Sequence, residues 1–319
     1  MTEKLIVLED VDPVAFYGVN NAHLQLIKSL YPKLRIVARG NVIKVLGDDE
    51  LMASFEDSIQ KMQQYCSTYN ALKEEVILDI VHGNTPQGDR TAGVIVYGVT
   101  GRPITPRSEN QLRLVEAFMH DDMVFAVGPA GSGKTYTAIA LAVRALKNKE
   151  IKKIVLCRPA VEAGEKLGFL PGDMKEKIDP YLQPLYDALQ DMIPAGKLQE
   201  YMELGIIQIA PLAFMRGRTL NDAVVILDEA QNTTTRQIKM FLTRMGANTK
   251  MIVTGDITQI DLPPTQTSGL VEALRILRDV RGIRVVELTK KDIVRHRLVT
   301  QIVEAYERQE QRIHREQTD

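Results

Sequence analysis

The chemistry most clearly encoded in this sequence is the binding of phosphate groups by residues 128–135. The segment has the spacing G-x-x-x-x-G-K-[ST], with an apolar run before it and a helical pattern after it. Its glycines allow backbone N–H groups to close around phosphate oxygens, and the N-terminus of the following helix adds a partial positive charge. The residues that we expect to contact a nucleotide are Gly128, Pro129, Ala130, Gly131, Ser132, Gly133, Lys134 and Thr135.

Two side chains of this loop have individual roles in such a site. We expect Lys134 to reach the β- and γ-phosphates of ATP, and the Thr135 hydroxyl to hold Mg²⁺. The alternative is an ordinary glycine-rich turn between a strand and a helix. That alternative leaves the adjacent lysine and threonine unexplained.

Two adjacent carboxylates, Asp228 and Glu229, follow the apolar run 223–227. In a nucleotide-hydrolysing enzyme the first binds Mg²⁺ directly or through water. The second points the other way and can orient the attacking water. The alternative is a strand that leads into an acidic helix start. The phosphate-binding loop earlier in the chain favours the catalytic interpretation, and the adjacent Glu fits a kinase for small molecules poorly.

A third strand end, at residues 251–261, carries Asp256 and Gln259, either of which could sense the γ-phosphate. A Gly-Asp turn that closes the strand is the structural alternative. Arg158, Lys166 and Phe169 lie at the start of a long segment after another strand and offer phosphate contacts and a stacking surface for a single nucleic-acid strand. A solvated loop with a helix is the alternative there.

Two further residues have open assignments. Gln111 lies three residues after Ser108, so it fits a capping box at a helix start, and it equally fits a residue that reads the adenine edge. Arg295 could be an arginine finger, which accelerates phosphoryl transfer by about 10³–10⁵ where one operates. A surface arginine that caps its own helix is the alternative for Arg295, and His296 is interpreted as structural.

Apolar strands that alternate with helices position these residues. The predicted strands are 123–127, 152–157, 206–210, 223–228, 251–254 and 284–288. This order predicts an α/β fold in which a parallel sheet carries helices on both faces. Ligands of such sheets bind beyond the carboxyl ends of the strands, where the residues named above lie.

Residues 1–82 have a different pattern, β-α-β-β-α, which is similar to a small KH-type RNA-binding module. A hairpin with a type I′ turn is predicted around Gly40-Asn41, and one long helix over 49–81. The turn 18–21 corresponds to the G-x-x-G clamp of such modules but lacks its second glycine. An α+β scaffold or oligomerisation domain is the alternative. Residues 83–108 are predicted to be a linker with short strands, 109–308 the nucleotide-binding domain and 309–319 a charged tail.

Composition excludes some classes of protein. The 319 residues are 45% hydrophobic and 25% charged, typical of a globular protein, and the net charge of −1 means that any nucleic-acid site must be a local basic surface. The two cysteines have no metal-ligand spacing and predict reduced thiols in a cytoplasmic protein. We find no signal peptide and no apolar run of about 18 residues.

Taken together, the segments 128–135, 158–173, 227–232, 254–263 and 292–296 closely resemble the PhoH-like ATPase family. The resemblance covers about residues 104–308, and residues 1–82 look like the N-terminal domain of its bacterial subgroup. It implies a core similar to the first RecA-like domain of superfamily 1 helicases. It also implies that residues 128–135 bind ATP, that Asp228 and Glu229 serve Mg²⁺ and water, and that Gln111 contacts adenine.

The family further implies cytoplasmic, ATP-dependent work on RNA and association with a metal-dependent, rRNA-processing endoribonuclease. Unlike helicases, this sequence has no second RecA-like domain after the first, so a neighbouring subunit would have to supply Arg295. We therefore expect a homo-oligomer such as a hexameric ring. The protein is then an ATPase that binds or remodels single-stranded RNA, similar to an RNA helicase. The alternative is an ATP-gated RNA-binding or assembly adaptor for the nuclease, without unwinding.

Overall fold

The computed structural model describes residues 2–9, 11–84, 93–159, 174–263, 265–293, 298–299 and 301–302, without the side chains of 174–180. The N-terminal part is a three-stranded antiparallel sheet, in the order β1-β3-β2, covered by helices. Its core is built from residues that include Phe16, Phe55 and Ile59. The elements are β1 (Thr2–Val7), α1 (Pro13–Tyr17), α2 (Ala22–Leu30), β2 (Arg35–Arg39), β3 (Val42–Gly47), α3 (Asp49–Tyr69) and α4 (Glu74–Val81).

Two local predictions for this part are wrong. The helix predicted over 49–81 is interrupted after Tyr69, because Asn70 adopts a left-handed conformation with φ of 53° and ends α3. Gly40 has a positive φ of 56° in the hairpin turn whereas Asn41 does not, so the turn is not type I′, which needs positive φ at both positions. Helix α1 was not predicted from the sequence at all.

A short antiparallel pair, β4 (Val96–Tyr97) and β5 (Pro103–Ile104), connects the N-terminal part to a large sheet. The following elements are α5 (Glu109–His120), β6 (Met123–Val127), α6 (Lys134–Lys147), β7 (Lys153–Arg158), α7 (Met174–Gln190), α8 (Ala195–Glu203), β8 (Ile207–Pro211), β9 (Ala223–Leu227), α9 (Thr235–Leu242), β10 (Lys250–Gly255), α10 (Gly269–Ile276) and β11 (Ile283–Glu287). Each strand lies within a residue or two of its predicted position.

The six strands pair in parallel in the order β11-β6-β10-β9-β7-β8. Alternate residues of β6 face opposite cores: Val124 packs with α5, α6, α7 and α8, whereas Phe125 packs with α9 and α10. Because both faces of the sheet are covered, the strands β6 and β9 are apolar throughout. The predicted α/β fold, a RecA-like parallel sheet with helices on both faces beside a small α+β part, is confirmed.

Hydrogen bonds of Asn70 join the N-terminal part to β4 and to the helical layer that covers one face of the large sheet. The Asn70 amide nitrogen donates to the backbone oxygens of Tyr97 and Met192 at 2.5 and 3.0 Å, and its oxygen accepts from Lys147 Nζ at 2.7 Å. Lys147 is the last residue of α6, the helix that begins at the phosphate-binding loop. Within the described part of the chain, no helix combines the length and the hydropathy that crossing a membrane requires. The predicted tail at 309–319 lies outside the described residues.

Candidate nucleotide site

The polar residues of the site lie at the carboxyl ends of four neighbouring strands of the sheet. The loop 128–135 follows β6, Asp256 follows β10, Asp228 follows β9 and Arg158 ends β7. Since parallel strands all end at the same edge, residues far apart in the chain meet there. This is the edge at which the sequence predicted the site.

The loop is shaped by close approaches that only glycine allows. Gly133 has φ of 82°, and a Cβ atom there would lie 2.6 Å from Gln111 Nε2. A Cβ atom on Gly128 would lie 2.4 Å from the backbone oxygen of Leu288. Helix α6 begins directly after Gly133, so its free N–H groups face the concave side of the loop.

The Lys134 side chain is buried and folds back over the loop. Its Nζ donates to the backbone oxygens of Gly128 and Pro129 at 2.7 and 2.9 Å. Burial lowers the pKa of Lys134 below its ordinary value, while the nearby carboxylates of Asp256, Glu229 and Asp228 oppose that shift. A buried ammonium group among carboxylates is well placed to attract and neutralise phosphate oxygens.

Thr135 and Asp228 meet although 93 residues separate them. Thr135 Oγ1 donates to Asp228 Oδ1 at 2.6 Å, and Thr254 Oγ1 donates to the same oxygen at 2.7 Å. Hydroxyl and carboxylate oxygens are ligands that Mg²⁺ prefers. Such a site usually has one or two protein ligands, and substrate phosphates supply others. The residues present therefore fit a magnesium–nucleotide complex. Among the described residues, no group of three or more His, Cys, Asp or Glu side chains is arranged to hold a metal ion.

Glu229 has a strained backbone, and each oxygen of its side chain accepts a hydrogen bond. Its φ of 52° places it in the left-handed region, which is uncommon for a residue with a side chain. Glu229 Oε1 accepts from Arg158 Nη2 at 3.0 Å, and Oε2 accepts from Gln231 Nε2 at 2.5 Å. Arg158, expected to contact RNA, is thus bound to carboxylates at this site.

Asp256 contacts the phosphate-binding loop directly, whereas the Gln259 side chain is exposed. Asp256 Oδ2 accepts from the backbone N–H of Ala130 at 3.1 Å. Its own backbone N–H donates to Gln231 Oε1 at 3.0 Å, so Gln231 joins Asp256 to Glu229. Of the two sensor candidates, Asp256 is the one in contact with the loop.

Gln111 is buried, and both ends of its amide bond to the protein. Gln111 Oε1 accepts from the backbone N–H of Arg107 at 2.7 Å, and Nε2 donates to the backbone oxygen of Ser132 at 2.8 Å. Ser108 caps α5 as predicted, but the Gln111 side chain reaches Arg107 rather than Ser108, so the capping box is incomplete. Gln111 also lines a cavity of about 510 Å³ beside the loop, together with Tyr136.

Several site residues were missed or lie elsewhere. Thr254 and Gln231 were not predicted, although Gln231 follows Glu229 by two residues and Thr254 is a hydroxyl residue near a strand end. Phe214, which makes none of the contacts described above, was also not singled out from the sequence; it is 63% exposed in a short 3₁₀ helix after β8. Lys166, Phe169 and Arg295 lie outside the described residues, so their predicted roles stay predictions.

Comparison with known proteins identifies relatives along nearly the whole chain. The PhoH-like protein family matches residues 103–307. A PhoH-like protein of Bacillus subtilis is 46% identical over 319 residues, which cover 97% of this chain and 100% of that protein. A PhoH-like protein of Mycobacterium tuberculosis (strain H37Rv) is 46% identical over 95% of this chain and 88% of its own length. Protein PhoH of Escherichia coli K12 is 47% identical over 64% of this chain and 58% of its own length.

Among solved structures, the Pif1 helicase from Candida albicans matches with 14% identity and a TM-score of 0.32, over 59% of this chain and 40% of that one. A TM-score this low supports no statement about function. The sheet order, the loop after β6 and the carboxylate after β9 are those of a P-loop NTPase.

Proposed function

This chain belongs to the PhoH-like protein family, and from that premise we propose that it hydrolyses ATP with Mg²⁺ and couples hydrolysis to the binding or remodelling of single-stranded RNA. The observation that carries the ATPase proposal is the 2.6 Å hydrogen bond from Thr135 Oγ1 to Asp228 Oδ1. It joins the loop hydroxyl and the strand-end carboxylate, the two groups that hold Mg²⁺ in P-loop enzymes. Glu229, next in the chain, supplies a base at the same place.

The loop, Lys134 and Glu229 each have a separate role in hydrolysis. Backbone N–H groups of the loop and Lys134 bind the β- and γ-phosphates and offset their charge. Mg²⁺, which Thr135 and Asp228 would hold, would further neutralise charge on the phosphate oxygens. The water oxygen bonds to the γ-phosphorus while the bond to the β–γ bridging oxygen breaks, and ADP leaves. Glu229 accepts the proton that the water loses.

Asp256 is suited to report the state of the γ-phosphate. It accepts from Ala130 N–H in the loop and is joined through Gln231 to Glu229. A phosphate that competes for the Ala130 N–H therefore acts on both carboxylates. Gln259, the other candidate, has an exposed side chain and no observed contact with the loop; we propose Asp256 as the sensor.

Two surfaces support RNA as the polymer. The exposed Phe214 is followed by the exposed Arg216 after β8, so an aromatic face for a base lies close to a cation for a phosphate. The turn 18–21 joins the helices α1 and α2, where a KH-type module places its backbone clamp. Asn21 replaces the second glycine and adopts φ of 59°, a left-handed conformation that asparagine tolerates better than most residues.

We extend the proposal to assembly. Arg295 of a neighbouring subunit in a homo-oligomer, such as a hexameric ring, acts as an arginine finger, and an rRNA-processing endoribonuclease is the partner that uses the RNA. Changing Arg295 to Ala should lower turnover in the assembled protein. An assembled Arg295→Ala variant with unchanged turnover would remove this role.

The test of the central proposal is phosphate release from Mg²⁺-ATP, measured with and without single-stranded RNA across protein concentrations. Lys134→Ala should abolish hydrolysis, because the phosphates lose their buried cation. Glu229→Gln should bind ATP but not turn it over, because an amide cannot accept the proton of water. A Glu229→Gln variant with normal turnover would refute the role of Glu229. A wild-type rate that does not respond to RNA would instead favour the adaptor function.

A further inference from the structure

The feature from which we infer regulation is the ion pair between Arg158 and Glu229. Arg158 Nη2 donates to Glu229 Oε1 at 3.0 Å, and Gln231 holds the other carboxylate oxygen at 2.5 Å. A general base must accept a hydrogen bond from the water that it deprotonates. A carboxylate whose two oxygens already accept hydrogen bonds, one of them from a cation, is a poorer acceptor for that water than a carboxylate with both oxygens free.

The Arg158 side chain has three partners in the protein but is still partly exposed to solvent. Besides Glu229, its Nη1 donates to the backbone oxygen of Tyr181 in α7 at 2.7 Å. Its Nε lies 3.7 Å from Asp228 Oδ2. The Arg158 side chain is 21% exposed and that of Glu229 is 37% exposed, so an anion at the edge of the sheet can compete for the guanidinium.

We propose that Arg158 is a switch that restrains Glu229 until a phosphate group of bound RNA takes the guanidinium over. This inference rests on the proposed ATPase function and adds its regulation. Phosphate is a strong competitor because the planar guanidinium binds it through two parallel hydrogen bonds. Once Arg158 turns to the phosphate, Glu229 Oε1 is released from the guanidinium and can accept a hydrogen bond from the attacking water. Arg158 is thus a positioning residue that acts through Glu229.

The proposal assigns Arg158 an effect of unusual sign. Removing a cation from an ATP site ordinarily slows hydrolysis, because the phosphates lose charge compensation. Here removing it should accelerate hydrolysis in the absence of RNA, because the restraint on the base is lost. The two readings therefore predict opposite changes in one measurement.

The experiment compares wild type, Arg158→Gln and Arg158→Lys as full-length proteins, with kcat and KM for Mg²⁺-ATP measured with and without a poly(U) oligonucleotide. We expect Arg158→Gln to raise the RNA-free kcat about tenfold with little change in KM, as expected for the loss of one charge-assisted hydrogen bond. For this variant, the ratio of kcat with RNA to kcat without RNA should fall close to one. Arg158→Lys keeps the charge without the planar fork, so its stimulation should be intermediate.

A matched control is Arg284→Gln. Arg284 pairs with Asp121 at 3.1 Å and lies near the amino end of β11, whereas the nucleotide loop follows the carboxyl end of β6. We expect wild-type kcat and wild-type stimulation by RNA from this variant. The control separates the removal of an arginine ion pair in general from the removal of the pair with Glu229.

A second readout is the salt dependence of RNA binding. If Arg158 contacts a phosphate, Arg158→Gln should reduce the magnitude of the slope of log K against log[salt] by about 0.7, the value for one contact to a single strand. An Arg158→Gln variant whose RNA-free kcat is at or below that of wild type would overturn the switch. In that case, stimulation of the wild-type protein by RNA would still support the proposed function. A wild type that hydrolyses ATP without responding to RNA would refute both the RNA coupling and the switch. A wild type without any hydrolysis would refute the ATPase itself.

Discussion

Replacing Gln111 by alanine should weaken the binding of ATP and GTP to the same extent. The structure gives the Gln111 amide two backbone partners, Arg107 N–H and the Ser132 oxygen, at 2.7 and 2.8 Å. The second of these is part of the phosphate-binding loop. We therefore expect Gln111 to act by bracing the loop, an effect that does not depend on which base the nucleotide carries.

The expected size follows from the hydrogen bond to Ser132, because the bond to Arg107 is lost equally with and without nucleotide. One such bond contributes about 0.5–1.5 kcal/mol net when water can replace the lost partner. Water has such access here, because Gln111 lines the cavity of about 510 Å³ beside the loop. Nucleotide binding must supply this free energy to restore the order of the loop, so the dissociation constants of both nucleotides should rise about 2- to 13-fold.

The assay is a titration of each variant with Mg²⁺-ATP and Mg²⁺-GTP by calorimetry. Ser108→Ala is the control, because it removes the cap of α5, in which Ser108 Oγ accepts from the Gln111 backbone N–H at 3.2 Å, and a side-chain hydrogen bond to Asp292, but no bond to the phosphate-binding loop. It should lower stability by about 1 kcal/mol and leave both affinities nearly unchanged. A Gln111→Ala variant that loses ATP affinity but keeps GTP affinity would refute the bracing role and establish Gln111 as a reader of adenine.

Three further predictions concern residues outside the reaction itself. Burial raises the pKa of the Cys66 and Cys157 thiols to about 12, so on the order of one thiol in 10⁴ is ionised at pH 8. Ellman's reagent should therefore react with neither thiol in the native protein and with both after denaturation. Fast labelling of the native protein would contradict their burial. Asn70→Ala should lower the free energy of unfolding by about 1 kcal/mol more than Asn70→Gly, since only glycine is free of strain at φ of 53°; equal urea midpoints would contradict that cause. Asn232→Ala removes two hydrogen bonds to Asp261, at 2.8 and 3.1 Å, and should cost about 1–3 kcal/mol in urea unfolding; an unchanged midpoint would mean that the pair does not hold the loop after β10.

Much of the fold could be predicted because its signals are local. Five consecutive apolar residues before Asp228 indicate a strand that is buried on both faces, whatever the rest of the chain does. The glycines of the loop record positions where the backbone has positive φ or close neighbours. The break at Asn70 was missed although asparagine often ends a helix in the left-handed conformation, because the residues on both sides have a helical pattern and the partners of Asn70, at Tyr97, Met192 and Lys147, are distant in the chain.

The sequence by itself therefore determined the parallel sheet, the loop that faces phosphate and the presence of two carboxylates at a strand end, since each depends on neighbours in the chain. Only the tertiary structure decided what the polar side chains do. Arg158 faces Glu229 because β7 and β9 are adjacent in the sheet although 71 residues separate them. Gln111 braces Ser132 for the same kind of reason. Hydrogen-bond partners at such sequence distances are set by the order in which the strands pack, which no local pattern of residues records.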